Sequence, residues 1–220
     1  MKKIIVYLLV VVLVLSACSK PTNEENKLTV AVSIVPQETF VKAVAGDLVD
    51  VVVMIPPGAS PTNYQPTPKQ MQELSKASIY MGIDVPTEEV NILPSLSSIN
   101  QQMEIVDLAE AVDAKYPARF FEEEEEEEEA HEGEAQDHQH EGRDPHIWMS
   151  PKRVVVMVEE IRDILIKIDP SNGDTYLSNA DAYIEELTSL DKVLTEELAR
   201  IEQKEFVVMH PSVGYFADDY

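Results

Sequence analysis

Short apolar runs alternate with amphipathic segments along the first half of the chain. Apolar and β-branched residues dominate four runs, which is the pattern of strands buried in a parallel sheet. The predicted strands lie within residues 27–37, 49–60 and 78–83, with a short fourth strand over Glu104–Val112 that leads into a loop. Helices are predicted between them over residues 37–47 and 67–77, the second opened by Thr67 and Pro68. This order predicts an α/β fold with a parallel sheet wrapped by helices.

Two long amphipathic helices are predicted in the second half of the chain. The first runs from a cap at Ser150, through Pro151 at its first position, to a stop at Pro170, with apolar residues every three or four positions. The second is predicted from about Thr175 to Gln203 and also has one apolar face. A helix of that length measures about 43 Å, which is longer than a small domain is wide. It therefore either lies along a whole domain or bridges two.

A last apolar run, Phe206–Met209, follows the second helix and has the composition of a buried strand. A lone parallel strand at this place has no sheet to join except the first one or one that the sequence lacks. We therefore expect residues 205–220 to be the start of a second lobe that is truncated after Tyr220.

The N-terminus has the pattern of a targeting segment. Two lysines precede an unbroken apolar run, Ile4–Leu15, which is shorter than the roughly 20 residues that a membrane-spanning helix needs. The letters LSAC then end at Cys18, and small residues before such a cysteine resemble a lipoprotein box. Residues 1–17 are therefore a predicted signal peptide and residues 18–27 a tether lipidated at Cys18; the alternative is an uncleaved anchor with an incidental cysteine. The prediction places the protein outside the cytoplasm, lipid-anchored to the outer face of the cell membrane.

The net charge of the chain bears on the kind of partner that it can bind. A formal net charge of −24 argues against nucleic acid, because phosphate binding needs clustered Lys and Arg. Much of the excess is local, since 13 acidic residues and one arginine lie between Glu122 and Asp144.

This acidic segment is predicted to be a loop over residues 121–143, and it also contains histidines. They are His131, His138 and His140. A run of like charges is usually just a solvated segment. Mixed with histidine, it can alternatively collect divalent cations loosely without a defined site. The sequence leaves both alternatives open.

The sequence lacks the motifs of the common enzyme classes. It contains no HExxH, no GxSxG, no Walker loop and no dinucleotide-binding glycine fingerprint. We therefore expect no enzymatic activity. A zinc hydrolase is the weakest alternative, because it needs three protein ligands, an open water position and a base.

Two further histidines lie at predicted element boundaries. His146 comes just before a helix, and His210 comes just after the predicted strand Phe206–Met209. Ligand groups of open α/β sheets collect at the carboxyl ends of strands, and imidazole suits Zn, Mn or Fe. Spacing alone favours a hydrogen-bonded structural residue over a ligand for each histidine.

Three segments together resemble the extracytoplasmic solute-binding lipoproteins of zinc and manganese ABC transporters. They are IPPGASPTNYQPTPKQM (Ile55–Met71), DPHIWMSP (Asp144–Pro151) and VMHPSVGYFADDY (Val208–Tyr220). An acidic, histidine-rich loop before DPHIW is typical of the members that handle zinc.

The resemblance implies a fold of two Rossmann-like lobes joined by a long rigid helix. In this chain it implies an N-terminal α/β lobe over residues 28–170 with the acidic loop 121–143, a linker helix over residues 171–204, and only the start of the second lobe over residues 205–220. Family members bind metal in the cleft between the lobes and dock on a membrane permease.

The resemblance also implies a set of metal ligands. His146 and His210 match two metal-binding histidines of the family. The family's first ligand usually follows the letters GASP, and Thr62 stands at that position here. Thr is a poor ligand for Zn²⁺, which prefers Cys, His and carboxylates. A histidine of the acidic loop, Asn63, Gln65 or a water fills the gap, or the site is degraded.

The resulting expectation is a metal receptor that captures Zn²⁺, or Mn²⁺ as second choice, and passes it to the permease of an ABC importer. Imidazole binds metal only when neutral, so affinity should fall below about pH 6.5. Two alternatives are an adhesion lipoprotein of the cell surface and a non-functional remnant that folds as one lobe.

Overall fold

The computed structural model describes residues 27–121 and 142–220. Four residues with predicted roles lie outside these ranges: Cys18, His131, His138 and His140. Within the described ranges, no helix is long and apolar enough to cross a membrane.

Parallel strands form a sheet at the centre of the described fold. They are β1 (Leu28–Val32), β2 (Val49–Val53), β3 (Ile79–Gly82) and β4 (Glu104–Asp107). Their order across the sheet is β2-β1-β3-β4. The chain therefore places β2 on one side of β1 and then reverses direction, placing β3 and β4 on the other side. Because every pairing is parallel, the carboxyl ends of the strands lie along one edge. The predicted parallel α/β fold is confirmed.

Helices cover both faces of this sheet. They are α1 (Val35–Ala45), α2 (Pro68–Leu74), α3 (Leu93–Ile99), α4 (Leu108–Asp113), α5 (Pro151–Ile168), α6 (Gly173–Leu198) and α7 (Gly214–Asp219). Thr67 caps α2 as predicted, because its hydroxyl accepts a hydrogen bond from the Gln70 N–H. The prediction of a loop after β4 is wrong. Asp107 accepts from the Ala109 N–H at 2.8 Å and so begins α4 directly at the end of the strand.

The side chains of each strand alternate between two apolar layers. Val30 and Val32 belong to the larger core, which lies beneath α1, α4, α5 and α6. Ala31 and its neighbour across the sheet, Tyr80, belong to a smaller core beneath α2 and α3. The sheet is therefore buried on both faces, as its apolar runs predict.

The two long helices pack along each other. Helix α6 has 26 residues, or about 39 Å, and ends before the predicted Gln203. Its first turns bury Tyr176 and Ala180 against α1 and α5, whereas Leu190 and Val193 farther along are exposed. Ser150 is the N-cap residue of α5, as predicted, but its side chain makes no capping hydrogen bond.

The predicted strand at Phe206–Met209 is also wrong. These residues have no regular structure, and Val207 is 100% exposed. A strand needs a neighbour to receive its backbone hydrogen bonds. Among the described residues, no strand lies beside this run.

Candidate metal site

Two imidazoles that lie far apart in the sequence meet in the structure. The Nε2 atoms of His146 and His210 are 3.2 Å apart, and the ring planes are inclined at 80°. Two nitrogen ligands of a tetrahedral Zn²⁺, each about 2.0–2.1 Å from the metal, lie about 3.3–3.4 Å from each other. The observed separation is therefore suited to two imidazoles that share one ion.

The orientation of His146 is fixed by Asp144. The Nδ1 atom of His146 lies 2.7 Å from Asp144 Oδ1. The same oxygen accepts a hydrogen bond from the backbone N–H of His146 at 3.0 Å. A carboxylate in this place holds the proton on Nδ1 and leaves the lone pair of Nε2 for a metal. The ring is buried and packs on Trp148, with ring centroids 5.1 Å apart. His146 is thus pre-organised as a ligand.

The second carboxylate oxygen of Asp144 faces Arg119. This oxygen, Oδ2, lies 3.4 Å from Arg119 Nε, and Asp144 is completely buried. Arg119 donates to both carboxylate oxygens of Asp218, in α7, at 2.7 and 2.8 Å. A Cβ on Gly214, the first residue of α7, would lie 2.6 Å from Asp144 Oδ2. The start of α7 therefore packs directly on the carboxylate that orients His146.

The loop that carries His146 is tied to the carboxyl end of β3. Arg143 donates to both oxygens of Asp113, at 2.6 and 2.7 Å, and its Nε lies 3.7 Å from Asp84 Oδ2. Asp84 follows β3 and has a φ of 62°, a left-handed conformation that Asp tolerates better than most residues. This edge, beside the reversal of strand order, is where open parallel sheets bind ligands.

A second buried carboxylate lies at the same edge. The Glu88 carboxylate accepts hydrogen bonds from the backbone N–H groups of Ile83, at 2.9 Å, and Asp84, at 3.0 Å. Burial raises the pKa of Glu88 to about 7, outweighing hydrogen bonds that favour the charged form. Gly82 makes room for this carboxylate, because a Cβ there would lie 2.7 Å from Glu88 Oε2. Glu88 therefore holds the turn to which the loop of His146 is tied.

The other predicted site residues lie in or after a turn at residues 61–63. The Thr62 N–H donates to Ser60 Oγ at 3.3 Å, while Asn63 and Gln65 are exposed. Among the described residues, no three His, Cys, Asp or Glu side chains gather as a metal site. The described part of the chain thus brings two imidazoles together.

Three residues of this site are absent from the sequence-based predictions: Asp144, Arg119 and Gly214. An acid two residues before a histidine is a usable signal, because its side chain can reach the backbone N–H two positions on. Arg119 has no such signal. Its role depends on α7, about a hundred residues away, and only folding brings the two together.

The comparisons with known proteins identify the family to which the chain belongs. Residues 30–220 match the family described as zinc-uptake complex component A, periplasmic, or ZnuA. The chain is 34% identical over 211 residues to the zinc-binding lipoprotein AdcA of Streptococcus pneumoniae, covering 94% of this chain and 40% of that protein. It is 30% identical over 204 residues to the high-affinity zinc uptake system protein ZnuA of Bacillus subtilis, covering 90% and 60%. The chain thus spans less than two thirds of either relative.

A solved structure shows the same fold. The crystal structure of a ZnuA deletion mutant with zinc bound superposes with a TM-score of 0.72 and 32% sequence identity. The superposition covers 88% of this chain and 66% of that one. Since the family match also includes the segments of both His146 and His210, the chain belongs to the ZnuA family of periplasmic zinc-uptake components.

Proposed function

We propose that this protein is an extracytoplasmic receptor that captures Zn²⁺, or Mn²⁺ as second choice, as the cargo of an ABC importer. The observation that supports the proposal is the pair of imidazole nitrogens 3.2 Å apart, one of them oriented by a buried carboxylate. Imidazole suits both metals, and Zn²⁺ binds it in tetrahedral sites. The names of the matched family and of both relatives also refer to zinc.

Reversible capture, rather than catalysis, is the chemistry that this pair supports. Neutral imidazoles bind the ion, and protons compete for the same lone pairs. A ligand that is held in place loses little freedom on binding, so His146 contributes affinity without reorganisation. His210 lies on an exposed segment and completes the pair. We propose no enzymatic step.

The proposal extends to the cellular setting of the protein. Lipidation at Cys18 would hold it at the outer face of the cell membrane, and the AdcA relative is likewise named a lipoprotein. The acidic loop 121–143 would supply His131, His138 and His140 as a loose collector of divalent cations near the site. Release of the ion to a permease subunit would complete the transport step.

Zinc titration of the full chain tests the proposed site. Calorimetry with a competing chelator should show that His146→Ala weakens tight binding by at least about a hundredfold, more than the loss of a residue that merely supports a ligand. His210→Ala should weaken it as well. The control is Glu205→Gln, an exposed acid near His210, which should bind zinc like the parent. Unchanged affinity in His146→Ala would remove this pair as the zinc site.

The same samples separate the proposal from its two alternatives. A surface adhesion protein would retain a partner after dialysis against chelator, in parent and His146→Ala alike. A non-functional remnant would hold no stoichiometric zinc after dialysis against trace zinc. One tightly bound Zn²⁺ per chain, lost with His146, supports the receptor.

A further inference from the structure

A buried carboxylate of α7 is one of the groups that attach this helix to the lobe, together with the buried ring of Tyr215. Asp219 Oδ2 accepts hydrogen bonds from Arg153 Nε at 2.7 Å and from the Ser150 hydroxyl at 2.6 Å. Its other oxygen, Oδ1, accepts from Arg153 Nη2 at 3.1 Å and lies 2.9 Å from Lys152 Nζ. All three donor residues belong to the first turn of α5 or directly precede it. One side chain of α7 is therefore held by four donor atoms of one helix terminus.

This ion pair is shielded from water, unlike most ion pairs of the structure. The side chains of Arg153 and Asp219 are 5% and 6% exposed. The Arg153 guanidinium also donates to the Pro117 carbonyl at 2.9 Å and lies 4.5 Å from the centre of the Tyr215 ring. A buried pair with its hydrogen bonds satisfied is costly to break, because removal of one partner leaves the other charged and desolvated.

The location of the pair links the two halves of the metal site. Ser150 follows His146 by four residues, and Asp219 follows His210 by nine. Tyr215 lies between His210 and Asp219 in the sequence, and its hydroxyl accepts a hydrogen bond from the backbone N–H of Arg119 at 3.0 Å. The contact that fixes α7 therefore joins the segment of His210 to the start of the helix that follows His146.

The residues before His210 do not provide a comparable anchor. After α6 ends at Leu198, residues 201–211 are all exposed, and none belongs to a helix or strand. Helix α7, on the C-terminal side of His210, is thus the nearest regular element that attaches the segment of this histidine to the lobe.

We infer that Arg153 and Asp219 are positioning residues, whose ion pair docks α7 and thereby holds His210 against His146. The inference rests on the proposed function, since His210 needs positioning only if it shares an ion with His146. When His210 occupies the bound position for only a fraction of the time, the apparent zinc affinity falls to that fraction of its intrinsic value. The pair thus acts on metal affinity through the position of His210, the ligand that directly precedes α7.

A double-mutant cycle on zinc affinity tests this inference. Asp219→Asn should weaken zinc binding by about tenfold or more in the parent chain, but by little in a chain that already carries His210→Ala. Asp219→Glu keeps the carboxylate and should restore most of the affinity. Glu159→Gln, which breaks an exposed ion pair with Lys115 elsewhere on α5, should have no effect in either background.

A milder variant serves if Asp219→Asn fails to show the parent's cooperative thermal transition. Lys152→Ala removes one partly exposed donor and leaves Arg153 in place. It should weaken zinc binding by about two- to threefold only when His210 is present. Equal losses with and without His210, or parent-like affinity in Asp219→Asn, would overturn the inference. Neither of these outcomes would overturn the proposed zinc site. That site would be overturned only if His146→Ala also binds zinc like the parent.

Discussion

The two histidines belong to regions that differ in how they are held. His146 lies in the lobe formed by the sheet and α1 to α5, where apolar side chains are buried and the loop is fixed by ion pairs. His210 follows the exposed run Phe206–Met209 and precedes α7, which buries Tyr215 in the core and is otherwise held by polar contacts. Extensive burial of apolar surface stabilises the first region, whereas the second depends on one buried ring and a few hydrogen-bonded charges. A metal ion bound by both histidines would therefore have one rigid ligand, His146, and one adjustable ligand, His210, on a less firmly held segment.

The largest expected difference between the regions is in stability. Ile161→Ala removes a completely buried side chain of α5 and should lower the free energy of unfolding by about 2–5 kcal/mol. Val207→Ala, on the exposed run, should change it by less than about 0.5 kcal/mol. Urea unfolding followed by the fluorescence of Trp148, the single tryptophan, measures both. Similar losses in the two variants would show that the run is buried in solution.

The next expected effect is the pH dependence of stability, which has opposite signs in the two regions. Because burial raises the pKa of Glu88 from an unfolded value of 4.5 to about 7, deprotonation disfavours the folded state. Stability from this group should fall between about pH 4.5 and 7, by about 3 kcal/mol in total. Glu88→Gln should remove this slope in urea unfolding. Glu89→Gln, its exposed neighbour, should keep it.

Asp219 should behave in the opposite way. Burial acts to raise its pKa, but hydrogen bonds from Arg153, Ser150 and Lys152 outweigh burial and hold the pKa of Asp219 below its usual range. Stability from this group is present above the unfolded value of about pH 3.9 and is lost as pH falls below it. Asp219→Asn should therefore destabilise the chain at neutral pH, and the difference from the parent should shrink in acid. A constant difference at every pH would contradict this.

A smaller expected effect concerns the carboxylate behind His146. Asp144→Asn keeps the shape of the side chain but removes its charge, and loss of such a supporting group typically weakens metal binding by about 10- to 100-fold. Chelator competition with Zn²⁺ measures the change. Asp163→Asn, an exposed acid paired with Arg162, is the matched control. If the two variants bind zinc equally, the orientation of His146 does not limit affinity.

The comparison also shows what sequence patterns can predict. The lobe was predictable because its strands and helices have periodic apolar positions and local caps such as Thr67. The Phe206–Met209 run has the same strand-like composition, yet it is not a strand, because pairing depends on a neighbour that composition does not reveal. His146 and His210 were identifiable by resemblance, but the contacts of Arg119, Asp144 and Asp219 depend on tertiary packing.

The smallest expected effect on tight binding comes from the acidic loop, whose histidines are proposed to collect ions rather than to complete the site. Replacing His131, His138 and His140 together with alanine should leave the tight zinc affinity within about twofold of the parent. Calorimetry at excess zinc should instead show fewer weakly bound ions. A chain with three of the eight consecutive glutamates changed to glutamine serves as the control for charge alone.

This experiment also sharpens the contrast between a rigid and an adjustable ligand. If the triple variant loses tight binding by about tenfold or more, a loop histidine is a third ligand, and the site depends on a group tethered outside both regions. If tight binding persists, no histidine of the loop is a required ligand. In that case Thr62→His, which restores the family's usual residue at this position, should raise the affinity further, since imidazole binds Zn²⁺ better than a neutral hydroxyl does.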